Sequence, residues 1–241
     1  MVVDAIYQVS VFGDFDDIRA TPENMLFAAT SFAEYGLMPS VSQEFNFDIL
    51  NMNSPKMTQR IMLVSGDEGI AVRVNSDRMD VKFDVEKLPR QLDFNQQAVQ
   101  IISKLLDEFG KRGTRLALNT LRRIQDLGYE ELQRIVDCYG GKFAYFSERD
   151  ITEWGCHLAA RENLEIGQIC QSCNVITNYS SALQEFENTI QLDIAVDINT
   201  APGSEIRQFN DENLSEFLEK AQKIRKVVLQ RDEEIRRLVK E

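Results

Sequence analysis

The chain has 241 residues, of which 43% are hydrophobic and 27% charged, and its formal net charge at pH 7 is −12. This composition is ordinary for a globular protein, and the length allows one large domain or two small ones with real cores. The negative charge argues against general nucleic-acid binding, which depends on neutralising phosphates, and no apolar run approaches the roughly 20 residues that span a bilayer.

The first half of the chain changes its hydrophobic period three times. Residues 2–12 are β-branched and apolar and predict a strand, and residues 21–36 carry an N-cap threonine, a proline and a closing glycine, which predict a helix. Between residues 42 and 83, short runs alternate apolar and polar positions with turn residues between them, as in an antiparallel meander. Residues 93–110 return to helical spacing, opened by a capping box and closed by glycine.

The second half repeats this order. Residues 114–124 predict a strand, although helix is an alternative because leucine and arginine favour it. Residues 129–141 predict a helix, and a final helix is expected from Asn210, with Phe209 and Leu214 spaced as a hydrophobic staple. The strand candidates between these two helices are residues 142–147, 153–161, 167–177 and 188–199.

Together these elements predict an α+β fold of two similar halves, each with the order strand, helix, antiparallel meander, helix. The halves are subdomains 1–110 and 111–241, and the second includes a long C-terminal helix over residues 211–241. Residue identity between the halves is negligible, so the repeat is one of pattern only. No linker rich in glycine, serine or proline separates the halves, and we expect them to pack tightly together.

Three stretches carry a resemblance to a known family: "SGDEGIAVRVNSDRMDVKF", "TRLALNTLRRI" and "IQLDIAVDIN", the last leading into the final helix. They resemble a sporadically distributed family of uncharacterised prokaryotic proteins of similar length. The resemblance covers most of the chain, but its motifs are strand patterns rather than catalytic signatures, so it implies no chemistry and no site residues. The scattered distribution of that family implies a place among mobile or defence-associated genes, here an antiviral defence system.

The segment "GCHLAARENLEIGQICQSC" holds three of the four cysteines and the only histidine. A zinc site needs converging ligands, whereas alternation along a strand sends Cys170 and Cys173 to opposite faces, and likewise Cys156 and His157. The sequence therefore favours structural thiols over a zinc site or a redox centre, and we expect no metal and no cofactor. So few cysteines, without a secretory leader pattern, favour a reducing cytoplasmic location.

No catalytic signature stands out in the sequence. The glycines fall singly or as Gly140–Gly141, without a phosphate-binding loop or a dinucleotide fingerprint. The best acidic pair, Asp193 and Asp197, lies on one face of a predicted strand, about 13 Å apart by strand rise and too far apart to share a metal. An enzyme is therefore the least favoured class.

Charge is unevenly distributed along the chain. Residues 1–50 hold eight acidic residues and one basic residue. A basic patch follows at the junction of the halves, and it comprises Lys111, Arg112, Arg115, Arg122 and Arg123. Two interpretations remain open, a solvated face at a helix–strand junction or a strip that meets an acidic protein surface.

The C-terminal helix carries a seam of apolar residues at alternating spacings of three and four. A helix over residues 211–241 is roughly 46 Å long, more than the width of a small domain. Leu218 and Val227 widen the apolar face of its first half, as suits packing on a sheet, whereas the second half narrows. The predicted partner contacts on this seam are Ile224, Val228, Ile235 and Leu238. The alternative is a helix that lies wholly on its own domain.

These observations favour a non-enzymatic interaction or accessory protein that acts through protein–protein contacts, with a homodimer as the concrete expectation. Membrane contact and general nucleic-acid binding are not expected. The alternative function is a small-molecule-binding sensor with an apolar pocket between sheet and helix.

Overall fold

The computed structural model describes residues 1–46, 56–140, 151–184, 189–202 and 208–240, with the backbone alone for residues 231–240. Within these residues, four helices lie against one nine-stranded antiparallel sheet, which confirms the α+β class. The strands are β1 (Val2–Phe12), β2 (Leu37–Asn46), β3 (Lys56–Ser65), β4 (Ile70–Val74), β5 (Arg78–Asp84), β6 (Arg115–Leu127), β7 (Glu153–Ile166), β8 (Ile169–Gln184) and β9 (Thr189–Thr200). The helices are α1 (Pro22–Ser31), α2 (Phe94–Glu108), α3 (Tyr129–Gly140) and α4 (Asp211–Lys240). The strand predicted at residues 142–147 lies outside the described residues.

Local sequence sets the ends of the helices. At the start of α1, Thr21 Oγ1 accepts a hydrogen bond from the backbone N–H of Asn24 at 3.3 Å. At the start of α2, the carboxylate of Asp93 accepts one from the backbone N–H of Gln96 at 3.0 Å. After α1, a short 3-10 turn ends at Gly36, whose φ of 67° favours glycine. The bonds that cap them confirm the predicted starts of both helices, whereas α1 ends at Ser31 and not directly before Gly36 as predicted.

The sheet has the strand order β2-β3-β4-β5-β1-β6-β9-β8-β7. Strands β1 and β6 lie side by side near its centre and pair antiparallel, from Val2 with Ile124 to Phe12 with Arg115. Residues from both predicted subdomains thus belong to one continuous sheet. Strands β2 and β7 form its two outer edges.

Residues 114–124, for which helix was an alternative, form most of strand β6. This strand has partners on both sides, β1 and β9, and it buries Leu116 and Leu118. Pairing on both edges and burial of these side chains outweigh the weak helical preference of leucine and arginine.

The two faces of the sheet differ in character. The helical face carries α1 to α4 and contains the hydrophobic core, to which alternate residues such as Ile194 and Val196 of β9 contribute. The open face carries no helix within the described residues and is polar, with Asp193 and Asp197 on the same strand. The alternation predicted for this strand is confirmed.

Candidate interaction surface

Strand β7 forms one outer edge of the sheet and pairs with β8. Its central residues, 157–163, are exposed on both faces of the strand. An outer strand presents a row of backbone N–H and C=O groups that a further polypeptide can pair with. Within the described residues, the middle of β7 is therefore an outer strand that is exposed on both faces.

The helical face above β7 is covered at both ends and open in the middle. At one end, Tyr139 of α3 packs against Trp154, with the ring centroids 5.9 Å apart. At the other end, the ammonium group of Lys220 on α4 donates to the carbonyl oxygen of Glu165. Leu158 lies between these two contacts and is 50% exposed.

The middle of α4 forms one wall of this opening. Ile224 and Val228 are half-buried and pack against the core, whereas Val227 is 67% exposed. An open groove of about 430 Å³ lies between α4 and strands β7 and β8. Its lining residues are Ala160, Arg161, Glu162, Val175, Lys223, Ile224, Val227 and Val228. We call this feature the α4–β7 groove. An apolar centre with a charged rim is the usual anatomy of a protein–protein contact surface.

A charged network beneath α4 fixes its position on the sheet. Arg225 donates to Asp4 Oδ1 at 2.7 Å and to Thr120 Oγ1 at 3.0 Å. Arg122 of β6 donates to the same carboxylate at 2.9 Å. Burial alone would raise the pKa of Asp4, but the hydrogen bonds and charges of the two guanidinium groups outweigh it and hold that pKa below its usual value. The helix is therefore anchored as far as Arg225, close to the groove.

Two of the four predicted partner contacts, Ile224 and Val228, line the α4–β7 groove. For the other two, Ile235 and Leu238, the backbone continues as helix, and their side chains lie outside the described part of the chain. The groove thus contains both of the predicted partner contacts whose side chains the structure describes.

The sequence interpretation of Val227 as a residue that packs on the sheet is wrong. Helical rotation turns Val227 outward and places Leu229, only 4% exposed, on the buried side. Leu218 is buried as expected. Leu158 lies on the same face of β7 as Cys156, and it is half exposed because β7 is an outer strand.

The residues of the predicted basic patch do not share one surface. They are Lys111, Arg112, Arg115, Arg122 and Arg123. Lys111 forms an ion pair with Asp17 at 2.6 Å, and Arg123 forms one with Asp193 at 3.1 Å on the open face. Arg115 donates to the carbonyl oxygen of Thr200 at 3.1 Å, Arg122 belongs to the network beneath α4, and Arg112 is exposed. Most of this positive charge is matched within the chain.

The cysteines follow the alternation of their strands. On β8, Cys173 is buried and Cys170 is exposed. On β7, Cys156 packs against the core, while His157 is exposed on the other face, with Nδ1 2.6 Å from Asn178 Oδ1. Burial raises the pKa of the Cys173 thiol to about 11. Across the described ranges, no group of three or more His, Cys, Asp and Glu side chains is placed to hold a metal ion.

The acidic pair on β9 is not equally solvated. Asp193 accepts a hydrogen bond from Arg123 at 3.1 Å. One carboxylate oxygen of Asp197 is buried and has no hydrogen-bond partner among the described residues. Burial raises the pKa of Asp197 above its usual value, against the opposing effects of Asn199 and Arg115.

In the described part of the chain, the helices lack the combination of length and apolarity that a membrane span requires. The sequence matches no protein-family model, and comparisons with curated proteins and with solved structures find no significant match. The resemblance to the sporadically distributed prokaryotic family therefore stays a prediction.

Proposed function

We propose that this protein is a non-enzymatic interaction protein that self-associates through the α4–β7 groove. The observation that carries the proposal is a group of apolar side chains open to solvent beside an outer strand. Val227 is 67% exposed and lines the groove with the half-buried Ile224 and Val228. Leu158, 50% exposed, lies two residues before Ala160 of the groove lining on the same face of β7. Large apolar side chains grouped in this way are typical of contact surfaces.

The sequence of α4 supports a second copy of the chain as the occupant of the groove. A two-fold homodimer needs a surface that is complementary to itself. In α4 the bases Lys223 and Lys226 precede three acidic residues at 232–234. Two antiparallel copies of α4 that cross near Val228 therefore bring the bases of each copy beside the acids of the other. The same alignment places position 235 of one copy opposite position 221 of the other, about one turn of helix from Ile224 in the groove, because the rise per residue is constant along a helix.

We also propose that the two halves of the chain are related units. Each half begins with a central strand and one helix, and its last strand, β5 or β9, returns beside that central strand. A final helix follows, α2 with 15 residues or α4 with 30 residues. On this proposal α4 is the longer counterpart of α2, and its additional turns are the part available to a partner.

The family resemblance extends this proposal to a prokaryotic antiviral defence system, in which the protein acts as an accessory scaffold rather than as a catalyst. Identification of the proteins that co-purify with the full chain tests this extension. Recovery of the chain without any partner from a cell under viral challenge contradicts it.

The molar mass in solution tests the self-association. We expect the full chain to show twice the 27.7 kDa of one copy. Val227→Glu and Leu158→Glu should each weaken the dimer by about tenfold or more, because a carboxylate would have to lose its water in an apolar contact. The matched control is Leu26→Glu on α1, a position outside the groove that is likewise 67% exposed, and it should leave the dimer intact.

Truncation after Gln230 isolates the contribution of the end of α4. It removes Ile235 and Leu238 but keeps Leu229, which belongs to the core, so the body should fold unchanged. A folded monomer from the truncated chain supports the proposal. A full chain that is already monomeric, or a dimer that survives the truncation and both glutamate variants, rejects it.

A small-molecule-binding sensor is the second candidate function. It was expected to use an apolar pocket between sheet and helices. The observation that favours a ligand is instead a cavity of about 360 Å³ on the open face, lined mainly by charged side chains. A ligand that binds the folded state raises the thermal unfolding temperature, whereas an interaction protein without a ligand site gains no stability from small molecules.

A further inference from the structure

We infer that the open face carries a binding site for a small organic anion, built on strands β4 and β5. This site gives the sensor candidate a ligand class and does not depend on self-association. The α4–β7 groove lies on the helical face at an outer edge of the sheet, so the two sites share no residue.

Small residues create the cavity. The side chains of Ile70, Val72 and Val74 point to the helical face and leave Ala71 and Arg73 on the open face of β4. Ala71, which pairs across the strands with Lys82, fills little of the space between the longer side chains around it. The resulting volume of about 360 Å³ lies within the range of small-molecule sites.

A buried carboxylate organises one end of the cavity. Asp80 is 6% exposed and accepts hydrogen bonds from Ser10 Oγ at 2.6 Å and from Gln8 Nε2 at 3.3 Å. Its other oxygen lies 3.0 Å from Arg78 Nε. The contact is an ion pair by distance only, because Arg78 Nε has no hydrogen-bond partner among the described residues. The guanidinium group of Arg78 thus retains donor capacity for a ligand.

Two further cations stand beside Arg78. Arg73 lies directly opposite Asp80 on the neighbouring strand, and Lys82 lies two residues along from Asp80. Both side chains are exposed, and neither forms an ion pair with any residue that the structure describes.

Each carboxylate that lines the cavity has a cation partner that lines it as well, and Asp80 is paired with Arg78. Lys87 lies 3.9 Å from Glu68 and 3.4 Å from Asp84, at the other end of the cavity from Arg73. The lining holds four cations and three carboxylates, so its formal charge is positive by one. Two guanidinium forks and one ammonium group are the donors that proteins use for carboxylate and phosphate groups, so the ligand is a small molecule that bears one of these groups.

Calorimetric titration of the full chain at low ionic strength tests this site, with inorganic phosphate, glucose 6-phosphate and succinate as separate probes. We expect at least one probe to bind. Arg73→Gln and Lys82→Gln should each lower the affinity for that probe by about tenfold or more, because each removes one charge-assisted hydrogen bond. The matched control is Arg112→Gln, which removes the same charge from an exposed position outside the cavity and should keep the original affinity.

The probes also separate the two ligand chemistries. Binding of the two phosphates alone assigns a phosphate ligand, and binding of succinate alone assigns a carboxylate ligand. The proposal is overturned if none of the three probes binds, or if Arg112→Gln weakens binding as much as the cavity variants do. The molar mass of Arg73→Gln in solution should equal that of the unmodified chain, so failure of this site leaves the proposed self-association standing.

Discussion

Among single residues, the cysteines offer a direct test of strand alternation. Cys138 and Cys170 are exposed, Cys156 is partly buried and Cys173 is buried. The thiolate is the reactive form, and burial raises the pKa of Cys173 to about 11, so we expect Cys173 to be alkylated most slowly. Labelling of the folded protein with iodoacetamide, read out by peptide mass spectrometry over time, gives the order. Labelling of Cys173 ahead of Cys170 would contradict the assigned faces of β8.

A second prediction at this scale concerns Asp197. Because burial raises its pKa in the folded state, the folded protein binds this proton more tightly than the unfolded chain does, and stability falls as the pH rises through that range. Above that pH range, the charged carboxylate, one oxygen of which has no hydrogen-bond partner among the described residues, lowers the free energy of unfolding. We expect Asp197→Asn to raise the free energy of unfolding by about 1 kcal/mol at neutral pH. Urea denaturation should show the gain at pH 7 and its disappearance in acid.

Asp193→Asn on the same strand is the comparison for Asp197→Asn. Asp193 accepts a hydrogen bond from Arg123, so its neutralisation should not stabilise the protein. A gain in stability for both variants would point to a general effect of negative charge rather than to the burial of Asp197.

Between elements, the junction of β6 with α4 depends on a glycine. Gly113 and Phe209 exchange two backbone hydrogen bonds, with N–O distances of 3.3 and 2.7 Å. A Cβ atom at position 113 would lie 2.5 Å from Val11 Cγ1 in the core. We therefore expect Gly113→Ala to lower the free energy of unfolding by about 1–3 kcal/mol, as other overpacked cores do. Denaturation in urea measures the loss.

The control for this substitution is Gly155→Ala in strand β7. A Cβ atom there meets only the carbonyl oxygen of Tyr179, at an ordinary 3.5 Å. Stability should stay the same or rise slightly, because alanine restricts the unfolded chain. Equal losses for the two variants would mean that close packing at Gly113 is not the cause.

Elements whose ends are set by nearby residues were predictable from the sequence. The caps at Thr21 and Asp93 act over three residues, and strand alternation placed Cys170 and Cys173 on opposite faces. The exposure of Leu158 was not predictable, because no local pattern says which strand ends up at the edge of a sheet.

The charges of β6 illustrate the same limit. Arg122 meets a carboxylate 118 residues away, and Arg123 meets one 70 residues away. Each partner lies on a neighbouring strand, β1 or β9, so the match depends on strand order and register. A run of bases in the sequence therefore did not predict a basic surface.

For the whole molecule, the central pairing of β1 with β6 makes each half depend on the other. Residues 1–110 alone would expose the edge of β1 over the paired length Val2 to Phe12. They would also lose Arg122 and Arg225, which hold Asp4. We expect this fragment to aggregate under conditions in which the full chain remains dispersed, as measured by light scattering. A folded, monomeric fragment would establish the halves as independent domains.

The central position of β1 also matters during translation. One side of β1 has no partner until Arg115–Leu127 has left the ribosome, long after β1 itself. At elongation rates of about 5–20 residues per second, this edge of β1 stays unpaired on the nascent polypeptide for roughly 5 to 20 seconds. A chaperone that covers the unpaired edge during this interval would then raise the fraction of newly made protein that reaches its native state.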